Sequence, residues 1–155
     1  MIQPTRQTRN KSKNRKTKQK KAKPKFGTSK LETDFAKNFL DKLNVKYIWQ
    51  FEAKDIKRFY DYYLPEHNII LEIDGSFWHA DPRVVKESKL TPTQKRNRRV
   101  DDLKNRWALM HGIPIMRIWE KDIRENPEQV MRQLKERLRL QSDKIRLDNE
   151  KKKRH

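Results

Sequence analysis

The segment IILEID at residues 69–74 is the feature that most constrains the fold of this chain. Its length is typical of a strand, and its nearly continuous apolar character predicts a strand in the middle of a sheet. The aromatic run 59–64 precedes it, separated by the turn-like residues 65–68, and is predicted to be an adjacent antiparallel strand. These two segments are therefore expected to form neighbouring antiparallel strands of one sheet.

Apolar periodicity predicts the other elements of the domain. A helix is expected over residues 29–43, with Ser29 as N-cap and Glu32 as its capping-box partner. The remaining predictions are a strand at 45–51, a helix at 93–111 with the apolar stripe Val100, Leu103, Trp107 and Met110, a C-cap at Gly112, a strand at 113–119 and a last helix opening at 126–127. The order α-β-β-β-α-β-α predicts an α/β domain with a mixed four-stranded sheet flanked by helices.

Positive charge is concentrated at the two ends of the chain. The formal net charge is +19, and residues 1–30 hold twelve Lys or Arg and no acidic residue. We therefore predict a disordered basic arm at 1–28, a globular domain at 29–125 and a basic C-terminal helix and tail at 126–155. The arm is either a solubilising tail or a segment that tracks phosphates; its unopposed charge favours the second interpretation.

Composition excludes several classes of protein. The chain has no Cys and only three Gly, which excludes a disulfide framework, cysteine-bound metals and a glycine-rich phosphate loop. The chain contains no stretch of about eighteen apolar residues, so a transmembrane helix is not predicted. It has no apolar segment near the N-terminus, so a secretory signal is not predicted. We expect a soluble cytoplasmic, nucleoid-associated protein without a small-molecule cofactor, whose partner is nucleic acid.

Two acidic residues of the central strand pair suggest a metal site. An antiparallel pairing of the second and third strands would bring Asp61 close to Glu72. Carboxylates that converge from neighbouring strands are suitable ligands for a hard divalent cation. The alternative is that both side chains face solvent on an exposed face of the sheet.

Five sequence elements occur in a set order along residues 29–121. They are Glu32 on the first helix, Asp61 on the second strand, the triplet Phe77-Trp78-His79, the pair Asn97 and Asp101 on the following helix, and Gly112 before the apolar strand that ends in Trp119-Glu120. In this order they resemble the very-short-patch-repair endonucleases and their relatives, which belong to the EDxHD subgroup of the PD-(D/E)xK nuclease superfamily. Free-standing homing endonucleases of phages are similar. The resemblance implies a restriction-endonuclease-like core and a bacterial or phage-infected cell.

The resemblance also implies a hydrolase that cleaves DNA with the help of Mg²⁺, for which Mn²⁺ substitutes. Asp61, Glu72 and the carbonyl of Ile73 would hold the cation. His79 would be the general base, oriented by Asp101, and Glu32 would act from outside the ligand set. The residues expected to contact DNA are Phe77, Trp78, Lys95, Arg96, Asn97, Arg98 and Arg99.

The chain departs from the superfamily pattern in one catalytic position. The superfamily has Glu-x-Lys on the third strand, whereas this chain has Glu72-Ile73-Asp74. In the EDxHD subgroup a histidine on the following loop takes the place of that lysine, and His79 matches it. The chain also lacks the cysteine and histidine residues that bind structural zinc in some repair members, which argues against a thymine–guanine mismatch specificity.

Each of these residues also has a structural, non-catalytic interpretation. Glu32 could serve only as a capping partner, and Asp101 could be one residue of a solvated helix face. Phe77 and Trp78 are either an apolar wedge for a DNA duplex or part of the core. The competing function is a non-catalytic basic nucleic-acid-binding protein, for example a packaging or RNA-associated module.

Overall fold

The structure is a computed structural model, and it describes residues 30–154. The predicted basic arm and the predicted N-cap Ser29 lie outside the described residues. The described elements are α1 (Lys30–Phe35), which continues as a π-helical turn (Ala36–Leu40), β1 (Ile48–Ala53), β2 (Arg58–Leu64), β3 (Ile69–Asp74), a 3-10 turn (Glu87–Lys89), α2 (Pro92–Met110), β4 (Ile115–Trp119), α3 (Glu120–Glu125) and α4 (Pro127–Lys153).

The four strands form one mixed sheet in the order β1-β2-β3-β4. β2 is antiparallel to both β1 and β3, and β4 runs parallel to β3 after the crossover through α2. All six residues of β3 are buried. The prediction of an α/β domain with a mixed four-stranded sheet flanked by helices is confirmed, as is the interior position of β3.

Helices cover both faces of the sheet. On one face α1, the π-helical turn and α4 pack over a large apolar cluster that contains Phe35, Leu40, Leu71 and Leu134. On the other face α2 contributes Trp107 and Ala108 to a smaller cluster with Tyr60 and Ile70 of the strands. The remainder of the α2 face of the sheet is occupied by charged residues, and the candidate site lies among them.

The alternation of side chains along β2 changes at Asp61. Residues two apart on a regular strand share a face, yet Tyr60 packs against Trp107 of α2 while Tyr62 packs against Phe35 of α1. The pairing of β1 with β2 continues on both sides of this point but omits Gln50 opposite Asp61, and Gln50 has a positive φ of 52°. The irregularity turns Asp61 away from an ordinary position in the ladder.

Helix α2 departs from its predicted apolar stripe. Met110 is 84% exposed, whereas Ala108 and Lys104 are buried beside Trp107. The prediction for Met110 was wrong because the buried face of α2 passes through Lys104, Trp107 and Ala108, and Met110 lies outside that face. The helix begins with a capping box between Thr91 and Gln94 that the sequence prediction missed. Its predicted end is confirmed, since Gly112 follows it with a φ of +66°.

Two predicted strands are shorter than expected, and one helix was missed. β1 begins at Ile48 because Val45 and Tyr47 pack against the core from the preceding loop. β4 begins at Ile115 because the chain first has to turn back from α2. The short helix α3 between β4 and α4 interrupts the predicted order. No helix among residues 30–154 combines the length and apolarity that crossing a membrane requires.

Candidate functional site

The candidate site begins where β2 and β3 separate. Their pairing ends at Tyr62 and Leu71, so Asp61 and Glu72 are the first residues beyond the last paired position. The Asp61 carboxylate bridges the gap, because its Oδ2 accepts a 2.6 Å hydrogen bond from the backbone N–H of Ile73. Antiparallel pairing thus brings the two predicted carboxylates to one place in the fold.

Negative charge accumulates around Asp61. Burial raises the pKa of Asp61 well above its ordinary value, and the negative charges of Glu72 and Glu32 raise it further. The Ile73 N–H and the positive charge of Lys104 oppose the rise in pKa without cancelling it. A partly buried carboxyl in such surroundings either holds a proton or requires a cation.

Glu72 is neutralised by a lysine that the sequence prediction did not include. Glu72 is 3% exposed, and burial raises its pKa to about 7 although Lys104 acts in the opposite direction. The Nζ of Lys104 lies 2.5 Å from Oε1 of Glu72. Lys104 comes from the middle of α2, and its ammonium also lies 4.8 Å from the centre of the Tyr60 ring.

A compact loop after β3 directs His79 back toward the strand. The N–H of His79 donates to the carbonyl of Gly75 at 3.1 Å, and the N–H of Asp81 donates to that of Ser76 at 3.1 Å. These bonds fold the loop so that Nδ1 of His79 lies 3.0 Å from Oδ2 of Asp101 on α2. The Oδ1 of Asp74 is 3.7 Å from the same nitrogen.

The His79–Asp101 pair has shifted acid–base properties. The hydrogen bond to Asp101 raises the pKa of His79, and the charge of Asp74 adds to this, although burial works against it. Burial alone would raise the pKa of Asp101, but the hydrogen bond from His79 and the charge of Arg117 lower it. Asp101 is thus an ionised acceptor that favours the tautomer with a proton on Nδ1 and leaves Nε2 as the basic atom.

Arg117 holds the acidic residues of two elements together. The β3–β4 register places it beside Glu72, and its Nη1 donates to Oδ2 of Asp74 at 2.7 Å. Its Nη2 lies 3.6 Å from Oδ1 of Asp101 and donates to Oδ1 of Asn105 at 3.2 Å. Arg117 therefore compensates the charge of Asp74, which is 1% exposed.

Two aromatic side chains project from the loop beside His79. Phe77 is 62% exposed and Trp78 is 58% exposed, and their rings meet edge to face at 5.1 Å. Their backbone is held by α2, since Gln94 donates to the Phe77 carbonyl at 2.7 Å and Asn97 donates to the Trp78 carbonyl at 2.9 Å. The interpretation of this pair as core is therefore wrong.

The basic residues at the start of α2 lie on its outer side. Lys95, Arg96 and Arg99 are exposed. Arg98 is partly buried and forms an ion pair of 3.3 Å with Glu87. The first turns of α2 thus place positive charge next to the aromatic loop.

Most of the predicted site residues lie in one region, with two qualifications. Glu32 belongs to α1, and its Oε2 accepts a 3.0 Å hydrogen bond from the side chain of Gln50, which lies opposite Asp61 between β1 and β2. Glu32 is therefore close enough for its charge to act on Asp61, although it comes from α1 and not from α2. The amide group of Asn97 is bonded to the Trp78 backbone, which makes it a support for the loop. Its predicted phosphate contact stays a prediction.

Sequence reasoning missed Lys104, Arg117, Asp74 and Gln94 as members of the site. Spacing on α2 could have indicated Lys104, because it follows Asp101 by three residues and Asn97 by seven, on the same helix face. Arg117 could have been indicated by its place in an otherwise apolar strand.

The residues at the separated strand ends suit a hard cation. Within residues 30–154, no three His, Asp or Glu side chains are grouped so that they alone could hold a metal ion. Mg²⁺, however, is commonly bound by one or two carboxylates together with water and substrate phosphate oxygens. Asp61 and Glu72 provide two carboxylates, and the raised pKa of each shows that the local environment disfavours uncompensated negative charge.

No family model matches this chain, and no curated protein or solved structure does so either. The fold itself defines the class of the protein. It is an α/β domain in which a four-stranded mixed sheet is flanked by helices, with a cluster of ionisable residues between the α2 face and the end of β3.

Proposed function

We propose that this protein is a metal-dependent endonuclease with a PD-(D/E)xK-like core that hydrolyses phosphodiester bonds in double-stranded DNA. The observation that carries the proposal is the combination of two carboxylates, Asp61 and Glu72, where β2 and β3 separate, with the hydrogen-bonded pair of His79, on the loop after β3, and Asp101 of α2. A protein that only binds phosphates has no use for converging carboxylates.

The carboxylates at the strand ends would hold the divalent cation. Asp61 and Glu72 provide charged oxygens, and the carbonyl of Ile73 lies between Glu72 and Asp74 on the same strand. A bound Mg²⁺ supplies Lewis-acid stabilisation of the charge that develops on the scissile phosphate. Glu32 would act on Asp61 through its charge.

His79 would accept the proton of the attacking water. Its Nδ1 is engaged by Asp101 at 3.0 Å, so Nε2 is the nitrogen that takes the proton. Asp101 would stabilise the imidazolium that forms, in the way that a buried carboxylate supports histidine in other hydrolases. Arg117 would keep Asp74 and Asp101 in place.

The aromatic loop and the start of α2 would contact the duplex. Exposed apolar side chains such as Phe77 and Trp78 can insert between base pairs and bend DNA. Lys95, Arg96 and Arg99 would contact phosphates, which gives affinity without sequence readout. The basic arm at 1–28 would add further charge of the same kind.

The second candidate is a non-catalytic nucleic-acid-binding protein. One observation favours it: Lys104 already compensates the charge of Glu72 at 2.5 Å, so this carboxylate has a partner without a metal. Under this alternative the site residues are a structural network and the basic surface alone carries the function.

Cleavage of supercoiled plasmid separates the two candidates. The purified full chain is incubated with plasmid, with linear duplex or with single-stranded RNA, each in Mg²⁺, Mn²⁺ or EDTA. The nuclease proposal expects nicked or linear plasmid with either metal and none with EDTA. Retarded but intact plasmid in both metals would support the binding protein, and cleavage of RNA alone would reassign the substrate.

A further inference from the structure

Lys104 is the buried cation of the candidate site. It is 8% exposed, and its ion pair with Glu72 joins side chains that are 10% and 4% exposed. The position is held from two directions, because the Tyr60 hydroxyl donates to the Lys104 carbonyl at 2.7 Å and the ammonium lies over the Tyr60 ring. The ion pair is therefore buried and held in a defined position by Tyr60.

The ammonium of Lys104 lies against one carboxylate oxygen of Glu72, at a position that a metal bound by that oxygen would share. A separation of 2.5 Å between Nζ and Oε1 leaves no space for another ligand of that oxygen on the same side. Displacement of the ammonium has a cost, since a buried charge that loses its partner is strongly unfavourable. Binding of a metal by Glu72 therefore competes with Lys104.

We propose that Lys104 is an internal counter-cation that occupies the metal position of Glu72 and lowers the metal affinity of the free protein. This inference rests on the proposed metal site and adds to it a regulation of that site. The released ammonium needs a new anionic partner, and the phosphate of a bound nucleic acid supplies one. Metal binding and nucleic-acid binding then favour each other, and by linkage the effect is reciprocal.

The test measures Mn²⁺ binding to the full-length protein in the absence of nucleic acid, by calorimetry or by the electron paramagnetic resonance of free Mn²⁺. Lys104→Met should bind Mn²⁺ about tenfold more tightly than wild type, a change within the range of close charge pairs. Lys104→Arg, which keeps the charge, should gain no affinity. Lys135→Met removes an exposed charge on α4 and should behave like wild type.

A second measurement uses the unaltered protein and does not depend on the folding of a variant. The ammonium group of Lys104 is followed by ¹⁵N–¹H NMR during a titration with Mg²⁺, with Lys104→Arg identifying the signal. Its resonance should shift as the metal binds and should shift further when DNA is added. A resonance that stays in place at saturating Mg²⁺ would overturn the inference.

Two different outcomes would contradict the role of Lys104 and the metal site itself. Equal Mn²⁺ affinity of wild type and Lys104→Met, with clear binding by both, would overturn the role of Lys104 and leave the metal site intact. Binding by none of the proteins, with or without DNA, would overturn the metal site and this inference together.

Discussion

The backbone N–H of Ile73 donates a 2.6 Å hydrogen bond to Oδ2 of Asp61, where the pairing of β2 with β3 has already ended. A side-chain carboxylate thus satisfies a backbone donor of the central strand. This arrangement places a charged group inside the sheet and close to Glu72, whose charge raises the pKa of Asp61 in addition to burial. The fold keeps an ionisable group where its ionisation is unfavourable, which is typical of a functional site.

Asp61→Asn should stabilise the protein in the absence of metal at pH 8. Since the pKa of Asp61 is raised in the folded state, its ionisation weakens the fold as pH rises through that raised value. Asn keeps an oxygen for the Ile73 N–H and carries no charge. We expect the melting temperature to increase by roughly 2–6 °C at pH 8 and the difference to disappear near pH 3.5. Thermal unfolding in EDTA measures both, and a lower melting temperature at pH 8 would contradict the electrostatic interpretation.

His79→Ala should reduce the single-turnover cleavage rate without unfolding the protein. General-base assistance contributes ~10²–10⁴-fold to a rate, so a loss of that size is expected. In the wild type the rate should rise with pH and level off, because only neutral His79 accepts a proton. The midpoint should exceed about 6.5, the ordinary value, since Asp101 raises the pKa of His79.

Asp101→Asn provides the matched test of that assignment. Removal of the negative charge should move the midpoint of the pH profile to lower pH and should cost less activity than His79→Ala. Single-turnover rates from pH 5.5 to 9 compare all three proteins. If the midpoint is the same in wild type and Asp101→Asn, the titrating group is not His79.

Phe77→Ala and Trp78→Ala should leave stability nearly unchanged, within about 0.5 kcal/mol, because both side chains are exposed. Their loss should weaken binding to duplex DNA by roughly 1–3 kcal/mol each if they stack on bases. Chemical denaturation and fluorescence anisotropy measure the two quantities. Val84→Ala, another exposed apolar side chain, is the control. Wild-type affinity of both aromatic variants would exclude them from the interface.

Removal of residues 1–25 should leave the unfolding transition of the domain nearly unchanged and should weaken non-specific DNA binding. The deleted segment carries only basic charges among its ionisable side chains. The plot of log affinity against log salt concentration should become flatter, since fewer counterions are released. Binding titrations at several salt concentrations test this, and an unaltered slope would show that the arm does not contact DNA.

Local patterns predicted the parts of the fold that depend on local interactions. The apolar run of β3 and its short turn indicated the β2–β3 hairpin, and Gly112 indicated the end of α2. Met110 was assigned to the apolar stripe because its spacing fits a helix face, but the face that packs on the sheet is the one through Lys104, Trp107 and Ala108, and Met110 is exposed. Which face of a helix is buried depends on tertiary contacts, and the periodicity of the sequence does not specify those contacts.

The charged partners of the site were less predictable than the acidic residues. Asp61 and Glu72 stand out because they interrupt an aromatic strand and an apolar strand, whereas Lys104 is one of many basic residues in the chain. Its partnership with Glu72 depends on how α2 crosses the sheet. Arg117 reaches Asp74 only because β4 pairs in parallel with β3.

The most direct measurement of the central claim is plasmid cleavage by Asp61→Asn beside wild type and the control Asp34→Asn, an exposed residue of α1. All three proteins are incubated with supercoiled DNA in Mg²⁺ under single-turnover conditions, and DNA binding is measured in parallel. The account predicts cleavage by wild type and Asp34→Asn, none by Asp61→Asn, and equal or tighter DNA binding by Asp61→Asn. Equal cleavage by wild type and Asp61→Asn would contradict the assignment of a nuclease site to Asp61.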